Sequence, residues 1–256
     1  MAYFDRLDEK SFRATEHTTG AWSLEEQHIG PALGLLVHAV ESDRDARRAD
    51  GLVIGRLSYD ILGTIPVGKM QIDVRLVRPG RTIELVEATL SHDGRDTVLL
   101  RAWLMVSGDT TRIAGSTLPP IPARSSMPAW SPTEVWPGGF IASADSFRQQ
   151  IEPGRAAYWV RPKVSLIRDE QVSALARAAG LIDIANGFTI RAAPEDVAFP
   201  NIDLTAHFFA QPQGEWLGFD TSVSFGPGGV GLTHSVLHDQ SGPIGAMSQI
   251  LTVRPN

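Results

Sequence analysis

Two stretches of the chain carry apolar residues at helical spacing, and each is followed by four stretches of strand-like pattern. In Pro31 to Arg48 the apolar positions are Ala32, Leu35, Leu36, Ala39 and Val40; in Glu170 to Ala185 they are Val172, Leu175, Ala176, Ala179 and Ile182. Such spacing places them along one face, so each stretch is predicted to be a helix with a buried stripe. Pro31 suits a first helical turn, Asp169 is positioned to cap the second helix, and Asn186-Gly187 to stop it. Alternation and β-branched residues, punctuated by turn residues, predict strands at 52–62, 69–78, 82–91 and 96–106. A second set falls at 201–210, 215–225, 230–238 and 243–253.

The order is the same in both sets, and so is the spacing. Asp60 and Asp203 stand 143 residues apart, Pro79-Gly80 and Pro227-Gly228 148, and Val106 and Val253 147. Three signals at a near-constant offset predict an internal duplication; the alternative is two unrelated meanders that happen to share Pro-Gly turns. Between the halves the sequence TLPPIPARSSMPAWSPTEVWPGG holds Pro at 119, 120, 122, 128, 132 and 137. Proline lacks an amide donor and disfavours helix before it, so an extended connection is expected. The chain therefore divides into an N-terminal unit at 1–116, a connection at 117–139 and a C-terminal unit at 140–256. Each is expected to be of α+β class, one helix covering one face of an antiparallel sheet. Two such sheets joined edge to edge leave a cleft at their seam, where each helix end faces strands of the other unit, and a site is expected there.

Length and composition narrow the function. With 256 residues, 43% hydrophobic and 20% charged, the chain can bury a sizeable core. A net charge of −6 argues against a nucleic-acid partner, and the one dense basic run, Arg44 to Arg48, is interrupted by Asp45. The absence of Cys removes disulfides, thiolate metal sites and a cysteine nucleophile. The charged N-terminus and the lack of a long apolar run lead us to expect a cytoplasmic protein without membrane insertion.

Several motifs fail on context. Gly226-Pro227-Gly228-Gly229-Val230-Gly231 fits G-x-G-x-x-G but precedes a strand-like segment, so it reads as a hairpin loop. His234 and His238 lack the intervening Glu of H-E-x-x-H, and no metal is expected. Neither G-x-S-x-G nor a P-loop occurs. Three polar residues on expected strands of the second half remain: Asp203, Ser224 and Gln249. A carboxylate, a hydroxyl and a carboxamide on neighbouring strands can hold one water, Asp203 as base and the others as orienting groups. The alternatives are a turn-bonding carboxylate, an edge hydroxyl and an amide that ties two strands.

Trp22 to His38 (WSLEEQHIGPALGLLVH), Val74 to Glu87 (VRLVRPGRTIELVE) and Pro200 to Val253, with PNIDLT, GEWLGFDTSVS, GVGLTHSVLHD and GPIGAMSQILTV, carry a resemblance. The sequence resembles the acyl-CoA thioesterase II-like family over nearly its whole length. The resemblance implies a double hot-dog of two fused units and hydrolysis of fatty acyl-CoA by a water held between Asp, Thr and Gln. It implies no cofactor. Asp203 and Gln249 match the Asp and Gln, and Ser224 falls at the Thr position as a departure that keeps the hydroxyl. The repeat places Leu76 opposite Ser224, and Ala102 or Trp103 opposite Gln249, so one site per chain is expected.

A thioester oxygen gaining charge needs donors, which a helix N-terminus supplies. The entry His28-Ile29-Gly30-Pro31-Ala32 offers the amides of Gly30 or Ala32, with His28 instead a candidate to orient the carbonyl; the alternative is an ordinary capping turn with a surface His. Arg75, Arg78 and Arg81 are candidates for CoA phosphate, or else a solvated sheet face. Exposed sheet edges suggest a homodimer or higher homo-oligomer. A non-catalytic acyl-CoA or lipid-binding module is the main functional alternative, and an enoyl-CoA hydratase, which needs an Asp and His pair near a helix, the third.

Overall fold

A computed structural model describes residues 1–256. Elements follow in the order β1 (Ala2–Arg6), β2 (Ser11–Ala14), α1 (Ile29–Arg47), β3 (Val53–Ile61), β4 (Lys69–Arg78), β5 (Ile83–His92) and β6 (Arg95–Met105). The second half repeats the theme with α2 (Gly139–Ala142), β7 (Ala144–Glu152), β8 (Arg155–Pro162), β9 (Ser165–Ile167), α3 (Ala174–Ala179) and α4 (Ala185–Phe188). It continues with β10 (Val197–Ala198), β11 (Asp203–Phe208), β12 (Leu217–Phe225), β13 (Val230–Asp239), β14 (Gly242–Thr252) and β15 (Arg254–Pro255). All eight expected strands form, and a hairpin the periodicity does not mark precedes the helical part of each half.

The strands make one thirteen-stranded sheet, ordered β7-β8-β12-β13-β14-β11-β3-β6-β5-β4-β2-β1-β9, beside a two-stranded ribbon of β10 and β15. The edge-to-edge joint is the antiparallel pair β3 and β11, with Ser58 opposite Thr205 and Asp60 opposite Asp203. Across this joint the halves follow the same strand order outward. Leu57 pairs with Ala102 in one half, and Thr205 with Ser248 in the other, which fixes the offset at 147 residues. Arg56, not Asp60, is therefore the counterpart of Asp203. Asp60 and Asp203 face each other because they flank the approximate two-fold axis, which passes through the Ser58–Thr205 pair; those hydroxyls lie 3.1 Å apart.

Helix α1 is buried through its first two and a half turns, where Gly30 to Val37 are all enclosed, and polar from Glu41 onward. It lies between the sheet and α3. A Cβ on Gly34 would stand 2.6 Å from the Ala176 carbonyl oxygen, so only glycine permits this approach. The second helical segment is not the single helix expected. Ser173, not Asp169, caps α3, and a 3₁₀ turn at Ile182–Ile184 leads into α4, which contains Asn186 and Gly187 instead of stopping before them. The proline-rich connection is extended apart from two 3₁₀ turns, Arg124–Ser126 and Pro132–Glu134. It does not float free: Trp159 Nε1 donates to the Pro122 carbonyl, and Trp136 Nε1 to that of Gly187 at 2.8 Å. Ile121 and Met127 pack against Trp159 on the far face of the sheet.

Candidate active site

A cavity of about 530 Å³ opens where α1 begins, beside the joint. Its walls come from both halves: His28 and Ile29 at the entry to α1, Ile61 to Ile65 after β3, Trp136 from the connection, Asp183 to Phe188 from the broken helix, and Ala198 to Ile202 before β11. The volume suits a small-molecule site. Trp22, Trp136 and Phe199 form an edge-to-face aromatic group on it, with Trp22 half exposed.

Pleating decides which expected residues reach this cavity, since neighbouring side chains on a strand point to opposite faces. On β11 the buried side chains are Leu204, Ala206 and Phe208, so Asp203 points to the outer face; its Oδ1 accepts from the Ile250 amide at 2.7 Å. Ser224 is exposed and pairs with Leu232, which pairs with Ile250; both intervening side chains are themselves exposed. Three strand spacings therefore separate Asp203 from Ser224, about 14 Å. Gln249 lies on the inner face with Met247 and Leu251 and is 1% exposed. The structure does not bring the three together: two share an outer row with apolar residues between them, and the third is across the sheet.

What Gln249 meets on the inner face is Asp183. Gln249 Nε2 donates to Asp183 Oδ1 at 3.0 Å, and Asn201 Nδ2 donates to the same oxygen at 2.8 Å. Asp183 sits on the 3₁₀ turn that breaks the helix, and Asn201 lies two residues before β11. Burial raises the Asp183 carboxyl to about 7, even though the hydrogen bonds from Asn201 and Gln249 pull it down. The Gln249 Oε1 is buried and has no hydrogen-bond partner in the chain. An acceptor left so costs about 1 to 3 kcal/mol.

His28 caps α1, its Nδ1 accepting from the Gly30 amide at 3.1 Å. That bond puts the ring proton on Nε2. Burial lowers the His28 pKa to about 3, so the imidazole is neutral. Its Nδ1 lies 3.7 Å from Asp183 Oδ2, but a neutral ring presenting a lone pair makes no ion pair there. Gly30 thus spends its amide on His28, and neither Gly30 nor Ala32 lines the cavity. Ile29 does, and its amide has no acceptor within the chain. Of the expected group at the helix entry, His28 reaches the cavity and the available amide is one residue earlier than anticipated.

The three arginines lie elsewhere. Arg75 pairs with Glu87, Arg78 bonds the Ile83 carbonyl, and the Arg81 carbonyl accepts from Arg48; none lines the cavity. No cluster of three His, Cys, Asp or Glu side chains is placed to hold a metal ion. No helix is long and apolar enough to cross a membrane.

Residues 18–105 match the acyl-CoA thioesterase N-terminal domain, and residues 128–253 the acyl-CoA thioesterase C-terminal domain. The chain belongs to the acyl-CoA thioesterase family. It is accordingly a thioester hydrolase. Solved structures agree on the fold: a hot-dog protein of unknown function from Alicyclobacillus acidocaldarius superposes with TM-score 0.75 at 13% identity, over 97% of this chain and 95% of that one. The acyl-CoA thioesterase II of Mycobacterium marinum gives 0.68 at 15%, over 99% and 96%. The dehydratase domain of the curacin polyketide synthase CurJ module gives 0.58 at 12%, over 97% and 94%, so the fold alone does not fix the reaction. Curated protein sequences provide no match. With these relatives the hot-dog fold of the thioesterase is established, as a mostly-sheet chain with few helices.

Asp183 and Asn201 are absent from the sequence-derived set. Asp183 has a signal all the same, a lone carboxylate in the apolar run Ala179-Gly180-Leu181-Ile182-Asp183-Ile184-Ala185, within the segment predicted to be helical.

Proposed function

We propose that the protein hydrolyses fatty acyl-CoA thioesters to free acid and CoA, with Asp183 as the base that activates a water. The observation that carries this reading is the shared bonding of Asn201 and Gln249 to one oxygen of a buried carboxyl held near pKa 7 on a cavity wall. A general base works best when its pKa lies close to the operating pH, and ionised Asp183 meets that condition. Fixing Oδ1 through two donated bonds leaves Oδ2 to take a proton from water. Gln249 Oε1, a buried acceptor without a donor, is suited to the second water proton. The lone pair then faces a thioester carbonyl lying over the start of α1. As the carbonyl oxygen becomes negative, the free amide of Ile29 and the Nε2 proton of His28 are the donors that stabilise it. Collapse of the tetrahedral intermediate expels the CoA thiolate, and the proton held by Asp183 passes to it.

Of the Asp, Thr and Gln implied by the family resemblance, Asp183 and Gln249 supply two, and the carboxamide of Asn201 takes the third place. Each half is read as one hot-dog unit, the pair making a double hot-dog with a single site, since Ala102 stands at the counterpart of Gln249. The acyl chain lies along the wall formed by Ile29, Ile61 and the aromatic group. Location in the cytoplasm and assembly into a homo-oligomer accompany this reading as further expectations.

Thiol release from octanoyl- and palmitoyl-CoA tests it. Asp183→Ala is expected to lower kcat by about 10²-fold or more, and Gln249→Ala by at least about tenfold, while Asp203→Ala and Ser224→Ala retain wild-type turnover. Wild-type turnover in Asp183→Ala would refute the assignment. Tight acyl-CoA binding by a wild type that releases no thiol would favour the binding-module alternative.

A further inference from the structure

We propose that Arg254 anchors the phosphates at the nucleotide end of CoA, and so makes the free nucleotide thioester, in preference to a bare pantetheine thioester, the substrate of this cavity. The inference rests on the proposed function for its choice of ligand. It adds a residue that neither the catalytic geometry nor the expected arginine cluster supplies. Arg254 is the sole Lys or Arg among the residues lining the cavity. Its guanidinium has no carboxylate within 4 Å and no hydrogen bond within the chain, whereas Arg75 and Arg48 are tied to carboxylates. The side chain is exposed, so it is free to meet an incoming anion.

Position matches the ligand. Arg254 lies five residues beyond Gln249, on the continuation of β14 into β15. An extended chain of that length spans at most about 17 Å. A pantetheine arm, laid out between a thioester beside Gln249 and phosphates outside the cavity, covers a comparable reach. The backbone there is fixed rather than loose: β15 pairs with β10, with Arg254 opposite Ala198. Asn256 closes the ribbon through bonds to the carbonyls of Pro194 and Glu195. The other charged groups on the cavity are Glu26 and Asp183, both acidic, in a chain of net charge −6. A polyanionic ligand therefore finds a single cation among the lining residues. A planar guanidinium there can bind two phosphate oxygens at once.

Calorimetric binding of free CoA, dephospho-CoA and pantetheine to the full chain tests the proposal. Wild type is expected to bind CoA at least about tenfold more tightly than pantetheine. Arg254→Ala should bring CoA to within about twofold of pantetheine, leaving pantetheine affinity as in wild type, and Arg254→Lys should restore part of the loss. Dephospho-CoA resolves which phosphate is held: affinity near that of CoA assigns the diphosphate, affinity near that of pantetheine the 3′-phosphate. Equal CoA affinity in wild type and Arg254→Ala overturns the proposal, as does a wild type that does not distinguish CoA from pantetheine. Unchanged urea midpoints establish that the variants are folded. Because no thioester is turned over in this experiment, a chain that binds CoA through Arg254 but releases no thiol would sink hydrolysis and leave the anchor standing.

Discussion

Asp183 and His28 are buried titratable groups of opposite tendency, and their effects on the protein have opposite signs. Asp183 must be ionised to act as a base, so kcat/KM, which reports the free enzyme, is expected to rise with pH through about 7 and level off above it. A profile flat from pH 5.5 to 8.5 would exclude Asp183 as the base. The same shift affects stability. Between the ordinary value of 3.8 and about 7 the folded chain keeps a proton that the unfolded chain has released, so stability falls as pH rises across that window. Asp183→Asn keeps an oxygen to accept from Asn201 and Gln249 and removes the charge. Its urea midpoint should exceed that of wild type at pH 8 and converge with it near pH 4, by up to about 4 kcal/mol. His28, held neutral down to about 3, refuses a proton that the unfolded chain accepts near 6.5, so its contribution is lost as pH drops below that value. At this scale the sequence is readable only where side-chain parity is applied: Leu204, Ala206 and Phe208 already turn Asp203 outward, and Met247 and Leu251 turn Gln249 inward. Asp183 and Asn201 meet Gln249 only through a helix break and a chain reversal, which no single-segment pattern reveals.

Elements were more legible than their junctions. Eight strands and helix α1 follow from periodicity because each buries one face against a common core, which imposes a period of 2 or 3.6 on the sequence. The hairpins β1–β2 and β7–β8 escape this reading; Arg148, Gln149 and Gln150 on β7, for example, interrupt any apolar alternation. The single helix expected at 170–185 is broken because the turn at 182–184 must present Asp183 to the strands instead of continuing its stripe. Contact between α1 and α3 depends on Gly34, where a methyl group would meet backbone, which cannot rotate away. Gly34→Ala is expected to lose at least about 1 kcal/mol net, overpacking outweighing the gain of up to about 1 kcal/mol in helix propensity; calorimetric melting checks it. A melting temperature equal to or above wild type would show that the helices separate freely.

On the scale of the whole molecule the halves are clamped at more than one place. Strands β3 and β11 join them at the centre, β9 of the second half lies parallel to β1 at the far edge of the first, and α1 packs on α3. Unfolding is therefore expected to be a single calorimetric transition, and residues 1–116 expressed alone should not give a folded monomer, since β3 would be left as an open edge. Two separate transitions in the full chain would contradict this. The repeat itself is visible in the sequence, but residue identity aligns Asp60 with Asp203, whereas the strand register aligns Arg56 with it. Residues 107–120 are exposed throughout, with Arg112 on a surface turn, whereas Trp136 further along is buried against the second half. Trypsin acting on the native enzyme should cut after Arg112 first. Such a nicked preparation ought to stay in one piece on a sizing column and keep its turnover, because the peptide bond between the halves carries no part of the chemistry; once denatured, its two fragments would have to find each other by diffusion, and recovery would become concentration-dependent.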